Sequence, residues 1–330
     1  MALFDLSLDK LPGYRSASVE PEDFDAFWSR TLAETRAHPL DARFARVDVP
    51  LTTVEVYDAS FSGFGGDRIR GWLVLPAGTS EPLPLVVEFL GYGGGRGLPH
   101  THLLTASAGY AHFVMDTRGQ GAGWGGGDTP DPGGSGPAVP GYMTRGIDDP
   151  DAYYYRRVFT DAVRAVEAAR SHPLTDASRT VATGTSQGGG ITLAVGGLVP
   201  DLAGIAPNVP FLCDFPRATT LTNKHPYREI GAYLNVFRDR IAAVRSTLAY
   251  FDGVHFAARG TAPALFSTAL EDEVCPPSTV YAAFNAYPVA EKDIKVYEFN
   301  GHEGGGTHQE AARLAWLRGL EGFGPGGRAA

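Results

Sequence analysis

The stretch Thr180-Val181-Ala182-Thr183-Gly184-Thr185-Ser186-Gln187-Gly188-Gly189 decides the fold. Residues 180–183 form a short run that reads as a strand, and the small and apolar residues of 189–198 read as a helix. Between them, Gly184-Thr185-Ser186-Gln187-Gly188 has the Gly-x-Ser-x-Gly pattern of a nucleophile elbow, in the strand-to-helix context that such a turn needs. A serine there sits in a sharp, strained turn that lifts its hydroxyl above the sheet. The backbone passes so close that glycine is needed at 184 and 188. The helix that follows aims its N-terminus at the place where negative charge develops. Outside that context the pentapeptide would be only a glycine-rich connection or a phosphate-binding turn.

Working outward, the segments 85–90, 113–115, 264–270 and 294–299 are short continuous apolar runs, as expected of strands buried on both faces. Helical patterns fall between several of them. Val158, Ala162, Val163, Val166 and Ala169 share one face, with Asp161, Arg164 and Glu167 on the other. Further helices are expected over 187–198, 278–287 and 307–320. This alternation predicts an α/β architecture, a mostly parallel twisted sheet with helices on both faces. Before it, Val54, Val56 and Phe61 alternate, as do Ile69, Trp72 and Val74, about the turn at 63–67; the pattern is that of an antiparallel hairpin. Residues 1–50 read as an N-terminal helical extension packed on the main domain, with Pro21-Glu22-Asp23 as helix start and Phe24, Phe27, Trp28 and Leu32 at helical spacing. The main domain is expected over 51–322 and a flexible tail over 323–330. The segment 121–146, rich in Gly, Pro and Asp, has no periodicity, and so long a loop in a compact domain tends to be functional.

The 330 residues suffice for one large α/β domain. A formal charge of −9 argues against nucleic acid as partner, because phosphate neutralisation needs clustered Lys and Arg. Glycine accounts for 42 residues, well above the usual share of roughly 7%, which fits many tight turns. Two cysteines, Cys213 and Cys275, make no disulfide framework; one bridge between them is the alternative to the expected buried free thiols. The start of the chain lacks the pattern of a secretory signal, and no stretch approaches the length of a membrane span. The expectation is a cytoplasmic protein with no membrane partner.

A serine hydroxyl at neutral pH needs a positioned base. His302, in Asn300-Gly301-His302-Glu303-Gly304-Gly305-Gly306, follows the last expected strand and precedes the last helix, where the base arrives in this kind of fold. Its rival His308 falls within that helix. His100 and His102 form a His-x-His pair without a recognisable third metal ligand nearby. The orienting acid should follow the preceding strand, where Glu271, Asp272 and Glu273 compete. Asp272 is preferred as a short carboxylate just past a strand end. The order Ser, Asp, His is that of α/β-hydrolases. Two backbone N–H groups must receive the oxyanion, one from Gln187 and one from the Leu90-Gly91-Tyr92-Gly93 turn, with Tyr92 as candidate.

Taken together, Phe4-Asp5-Leu6, Asp23-Phe24-Asp25-Ala26-Phe27-Trp28, Arg118-Gly119-Gln120, Gly184-Thr185-Ser186-Gln187-Gly188-Gly189, Pro276-Pro277-Ser278-Thr279 and His302-Glu303 resemble the acetyl xylan esterase and cephalosporin-C deacetylase family, carbohydrate esterase family 7. The resemblance covers almost the whole chain. It implies an α/β-hydrolase fold with an N-terminal extension, a triad of Ser186, Asp272 and His302, and oxyanion donors at Tyr92 and Gln187. It also implies a short acyl pocket walled by Tyr92, Phe211, Pro226 and Val274, with Arg118, Gln120 and Glu303 as structural supports. By the same resemblance the substrates are acetylated xylo-oligosaccharides and cephalosporin C, no cofactor or metal is needed, the assembly is a homo-hexamer, and peroxide replaces water in some members. Leu90 departs from the family's frequent His-Gly-Tyr at this turn. Two other functions fit the same fold, a peptidase and a non-catalytic sugar-binding scaffold.

Overall fold

The computed structural model describes residues 4–133 and 141–325; the centre of the long loop, at 134–140, and the last part of the expected tail, at 326–330, lie outside the described residues. Among these residues nine strands build one sheet: β1 (Arg43–Val47), β2 (Val54–Ser62), β3 (Arg68–Pro76), β4 (Leu83–Phe89), β5 (Ala111–Met115), β6 (Thr175–Thr185), β7 (Gly204–Asn208), β8 (Ala264–Ala269) and β9 (Lys292–Tyr297). They lie in the order β1-β2-β3-β5-β4-β6-β7-β8-β9. The β1, β2, β3 and β5 neighbours pair antiparallel, and every pair from β5 to β9 is parallel. Among the described residues ten α-helices accompany them: α1 (Phe24–Arg36), α2 (Leu104–Ser107), α3 (Tyr154–Arg170), α4 (Gln187–Leu198), α5 (Phe215–Leu221), α6 (Tyr227–Val236), α7 (Ile241–Ala249), α8 (Gly253–Ala257), α9 (Pro277–Ala286) and α10 (Gly306–Gly319). The expected α/β architecture is present, a mostly parallel twisted sheet carrying helices.

The interior strands follow from their composition. Strands β5, β7 and β8 are buried along their whole length, as runs covered on both faces must be. The hairpin of β2 and β3 forms about a turn in which Gly65 and Gly66 take φ of 65° and 80°, a region that glycine enters without strain. Trp28 of α1 is 1% exposed and packs its ring edge-to-face on Phe251 and Phe256, at 5.5 and 5.3 Å between centroids, which fastens the N-terminal helix to the rest of the core.

Several expectations need correction. Residues 1–50 are not helical throughout, since β1 lies there and joins the sheet edge through β2. The last strand is β9 at Lys292–Tyr297, not 294–299, and it is half-buried in alternation because it is an edge; Phe299 lies beyond it and is 72% exposed. Phe323, placed in the flexible tail, is fully buried and stacks on Tyr110 at 5.5 Å. The polar face of α3 is buried as well, with Asp161 and Arg164 1% and 4% exposed and bonded to Arg118 and to the Ser62 carbonyl. Strand β7 escaped notice because it is short and contains Pro207, which lacks the N–H that a central strand normally uses. The largest unanticipated feature is the helical insertion α5–α8 between β7 and β8.

Candidate active site

Ser186 lies between the end of β6 and the start of α4 with φ 60° and ψ −117°, a strained geometry for a residue with a side chain. The turn is held from both sides. The Ser186 N–H donates to the Asn208 carbonyl at the end of β7 (3.0 Å), and the Ser186 carbonyl accepts from the N–H groups of Gly190 (3.0 Å) and Phe211 (2.9 Å). Glycine is needed beside it. A Cβ at 188 would stand 2.0 Å from the Phe89 carbonyl oxygen, and one at 184 would stand 2.5 Å from the Gly188 carbonyl.

The loop between β9 and α10 brings His302 over the serine, with Nε2 3.0 Å from Ser186 Oγ. On the other side of the ring Nδ1 lies 2.9 Å from Asp272 Oδ2 and 3.1 Å from Oδ1. Asp272 is fully buried just past β8, and its Oδ1 accepts from the N–H groups of Val274 (2.8 Å) and Cys275 (2.9 Å). The competing acids Glu271 and Glu273 stay out of the arrangement: the His302 ring bonds Asp272 and Ser186, and Glu273 pairs with Lys224 at 3.0 Å. Glu303, beside the histidine, is exposed and folds the loop by accepting from Asn300 Nδ2 (2.6 Å) and the Gly301 N–H (3.0 Å); these bonds hold its carboxyl below the usual range. His308 lies exposed on α10, and His102 is spent on the Arg96 carbonyl at 2.7 Å. Among the described residues, the single group of three metal-type side chains close together is Asp272, Cys275 and His302, so it coincides with this site. Both cysteines are buried free thiols, and burial pushes each well above its ordinary pKa.

The segments carrying the Tyr92 and Gln187 N–H groups are cross-braced by Gln120. Gln120 Oε1 accepts from the Gly93 N–H at 2.7 Å, while its Nε2 donates to Gln187 Oε1 (2.8 Å) and to the Tyr154 hydroxyl (3.1 Å). Gln187 Nε2 in turn donates to the Leu90 carbonyl at 3.1 Å. Among the described residues no hydrogen bond engages the N–H of Tyr92 or of Gln187. Arg118 supports something else. Its guanidinium grips Asp161 at 2.5 and 2.8 Å and Asp67 at 3.0 Å, which ties the β2–β3 turn to α3, and it reaches the elbow only through the Tyr154 hydroxyl on its carbonyl.

Ser186 and His302 open into a cavity of about 430 Å³. Gly91, Tyr92, Trp124, His225, Pro226 and Val274 line it with them. Of the expected walls, Phe211 is misplaced: it is fully buried against Tyr227, 4.2 Å between ring centroids, and does not line the cavity. Trp124 and His225 were not anticipated as lining residues. A larger cavity, about 700 Å³, lies between residues 17–22 and helices α5–α7. At its edge Ser18 meets His255 at 3.1 Å, but that imidazole stands 3.7 Å from Glu20 and Ser18 has no strained backbone.

A profile described as "Acetyl xylan esterase (AXE1)" matches residues 1–320. The chain belongs to the acetyl xylan esterase family. The acetyl xylan esterase from Paenibacillus sp. R4 superposes with a TM-score of 0.88 at 38% identity, over 93% of this chain and 98% of that one. Acetyl xylan esterase 1 from Thermoanaerobacterium sp. JW/SL YS485 gives 0.86 at 34% identity, over 94% and 98%. Acetyl esterase Axe7A of Xylanibacter ruminicola is 30% identical over 291 residues, which is 86% of this chain, and the chain spans 63% of the length of that curated relative. A prolyl endopeptidase structure matches at a TM-score of 0.60 and 18% identity, a likeness of fold alone. Among the described residues, no helix is long and apolar enough to cross a membrane.

Proposed function

We propose that this family member is a serine esterase that removes acetyl groups from acetylated xylo-oligosaccharides and related small esters, cephalosporin C among them, through an acetyl-serine intermediate. The observation that carries this reading is one strained serine whose Oγ lies 3.0 Å from an imidazole that is itself 2.9 Å from a buried carboxylate. His302 Nε2 takes the proton as Ser186 Oγ attacks the acetyl carbonyl, and Asp272 holds the ring and stabilises the imidazolium. The N–H groups of Tyr92 and Gln187 receive the oxyanion. His302 then protonates the departing alcohol, and water, activated by the same ring, releases acetate. Hydrogen peroxide in place of water yields peracetate by the same step.

The cavity supports a small acyl group and a larger leaving group. Tyr92, Pro226 and Val274 close around the serine, while Trp124 stands at the rim 55% exposed. Its indole N–H is fixed on the Tyr92 carbonyl at 2.9 Å, which leaves ring surface free for the C–H face of a sugar. The test is Ser186→Ala. Hydrolysis of p-nitrophenyl acetate should fall at least about 10⁴-fold, and labelling by a fluorophosphonate should vanish. A variant that keeps wild-type turnover ends the proposal. Cleavage of amides but not esters by the wild type would favour a peptidase instead.

A further inference from the structure

Glu229 lies in the first turn of α6, within the insertion, and is 3% exposed. Among the described residues its one ionic neighbour within 4 Å is His225, 3.9 Å away with a largely exposed ring. A buried carboxylate with no cation in hydrogen-bond contact, offset only by the more distant charges of His225 and Arg145, is a burden that a packing role does not require, since a Gln or Leu fills such a place more easily. Both of its oxygens are nevertheless hydrogen-bonded. They accept from the Tyr92 hydroxyl at 2.8 and 2.9 Å and from the Met143 N–H at 3.1 Å. The Tyr92 oxygen accepts in turn from the Tyr142 N–H at 2.5 Å. Gly141 lies so close that a Cβ would stand 2.1 Å from Glu229 Oε2. The returning end of the long loop therefore wraps the carboxylate and the phenol together.

We propose that Glu229 is a positioning residue for the Tyr92 oxyanion donor, through which the helical insertion sets the alignment of the reaction centre. This rests on the assignment of the Tyr92 N–H to the oxyanion. Residue 92 is held at its carbonyl by Trp124 (2.9 Å) and just beyond it by Gln120 on the Gly93 N–H (2.7 Å). Both contacts come from the loop after β5. The third anchor, on the ring hydroxyl, comes from α6. A tyrosine ring has two torsions, so fixing its hydroxyl as well as its carbonyl leaves the N–H little freedom. The same helix begins directly after His225 and Pro226, which line the cavity. One side chain thus keeps cavity wall and donor in register.

Tyr92→Phe tests this cleanly, because it keeps the ring and the backbone N–H and removes only the hydroxyl. Glu229→Gln keeps the shape and weakens the acceptor. Each is expected to lower kcat for p-nitrophenyl acetate roughly 10- to 100-fold with KM within about twofold, as a slightly misaligned donor does. Affinity for a boronic acid that forms a tetrahedral adduct with the serine should fall in parallel. The double variant should be no worse than the poorer single one, since both break the same link. Tyr92→Phe at kcat within twofold of wild type overturns the proposal, as does a double variant showing the product of the single losses. A merely structural Glu229 lowers Tm and leaves kcat alone. Failure of the esterase reading is seen separately, as a wild type that hydrolyses no ester.

Discussion

Gln120 shows how one side chain governs a site it does not enter. It is 6% exposed and joins the turn after β4 to the elbow after β6, through the Gly93 N–H and Gln187 Oε1. Gln120→Leu conserves volume but leaves the Gly93 N–H and Gln187 without that partner, at about 1–3 kcal/mol for an unmet buried group. Both proposed donors then lose their common brace. We expect kcat for p-nitrophenyl acetate to fall roughly 10- to 100-fold with Tm lowered, checked by steady-state kinetics and thermal denaturation. An unchanged kcat would show that each donor is held well enough alone. At this scale the sequence is legible where a residue's placement is set by its immediate neighbours. Ser186 between Gly184 and Gly188, and Asp272 just past an apolar strand, are local facts. Phe211 was misread because the side on which a buried aromatic faces depends on what packs there, here Tyr227. Glu229 left no signal, since its partner Tyr92 lies 137 positions away.

Among elements, the glycine-rich loop after β5 is the one whose composition is explained by its pairing. Gly123 donates to the Gly93 carbonyl (3.0 Å), Gly95 to the Gly125 carbonyl (2.9 Å) and Gly97 to the Gly126 carbonyl (2.9 Å). The two segments lie so close that a Cβ at 95 would stand 2.4 Å from the Gly127 backbone. A ribbon of glycines thus carries one large side chain, Trp124, to the rim of the cavity. Its sequence showed only a long loop without period, and the loop's partner was invisible because glycine carries no pattern. Trp124→Ala should lower kcat/KM for an acetylated xylo-oligosaccharide about tenfold or more relative to ethyl acetate, whose leaving group has no ring, while Trp124→Phe keeps most of that ratio. Equal losses on both esters would reduce Trp124 to a support for the Tyr92 carbonyl. The insertion α5–α8 was missed for another reason. Its helices run from 5 to 10 residues, too short for periodicity to stand out, and tertiary contacts stabilise them instead.

Over the whole molecule, Asp5 braces the helix that follows the turn bearing Asp272. Asp5 is remote from Ser278 by 273 positions, yet its Oδ2 accepts the Ser278 N–H at 2.8 Å and its Oδ1 accepts from Arg217 Nη2 at 2.7 Å. Helix α9 starts behind Pro276, which has no side chain able to cap it, so the Asp5 carboxylate does so from outside. Arg217 belongs to α5, so one carboxylate fastens the insertion, α9 and the N-terminal segment at a single point. Its side chain is 1% exposed and that of Arg217 is 27% exposed. Asp5→Ala leaves the helix end uncapped and the guanidinium without its carboxylate partner, with only the Ser278 hydroxyl and the Tyr14 ring still against it, which should cost about 2 kcal/mol, less than a fully buried pair because Arg217 reaches water. Tm should fall by roughly 3 °C. Asp5→Asn, still able to accept from Ser278, should fall by less. Because α9 follows directly on the turn that holds Asp272 against His302, loss of esterase activity on heating should shift downward with Tm in both variants. A Tm unchanged in Asp5→Ala would mean that α9 and α5 are secured by packing alone, and that the N-terminal segment merely lies against them.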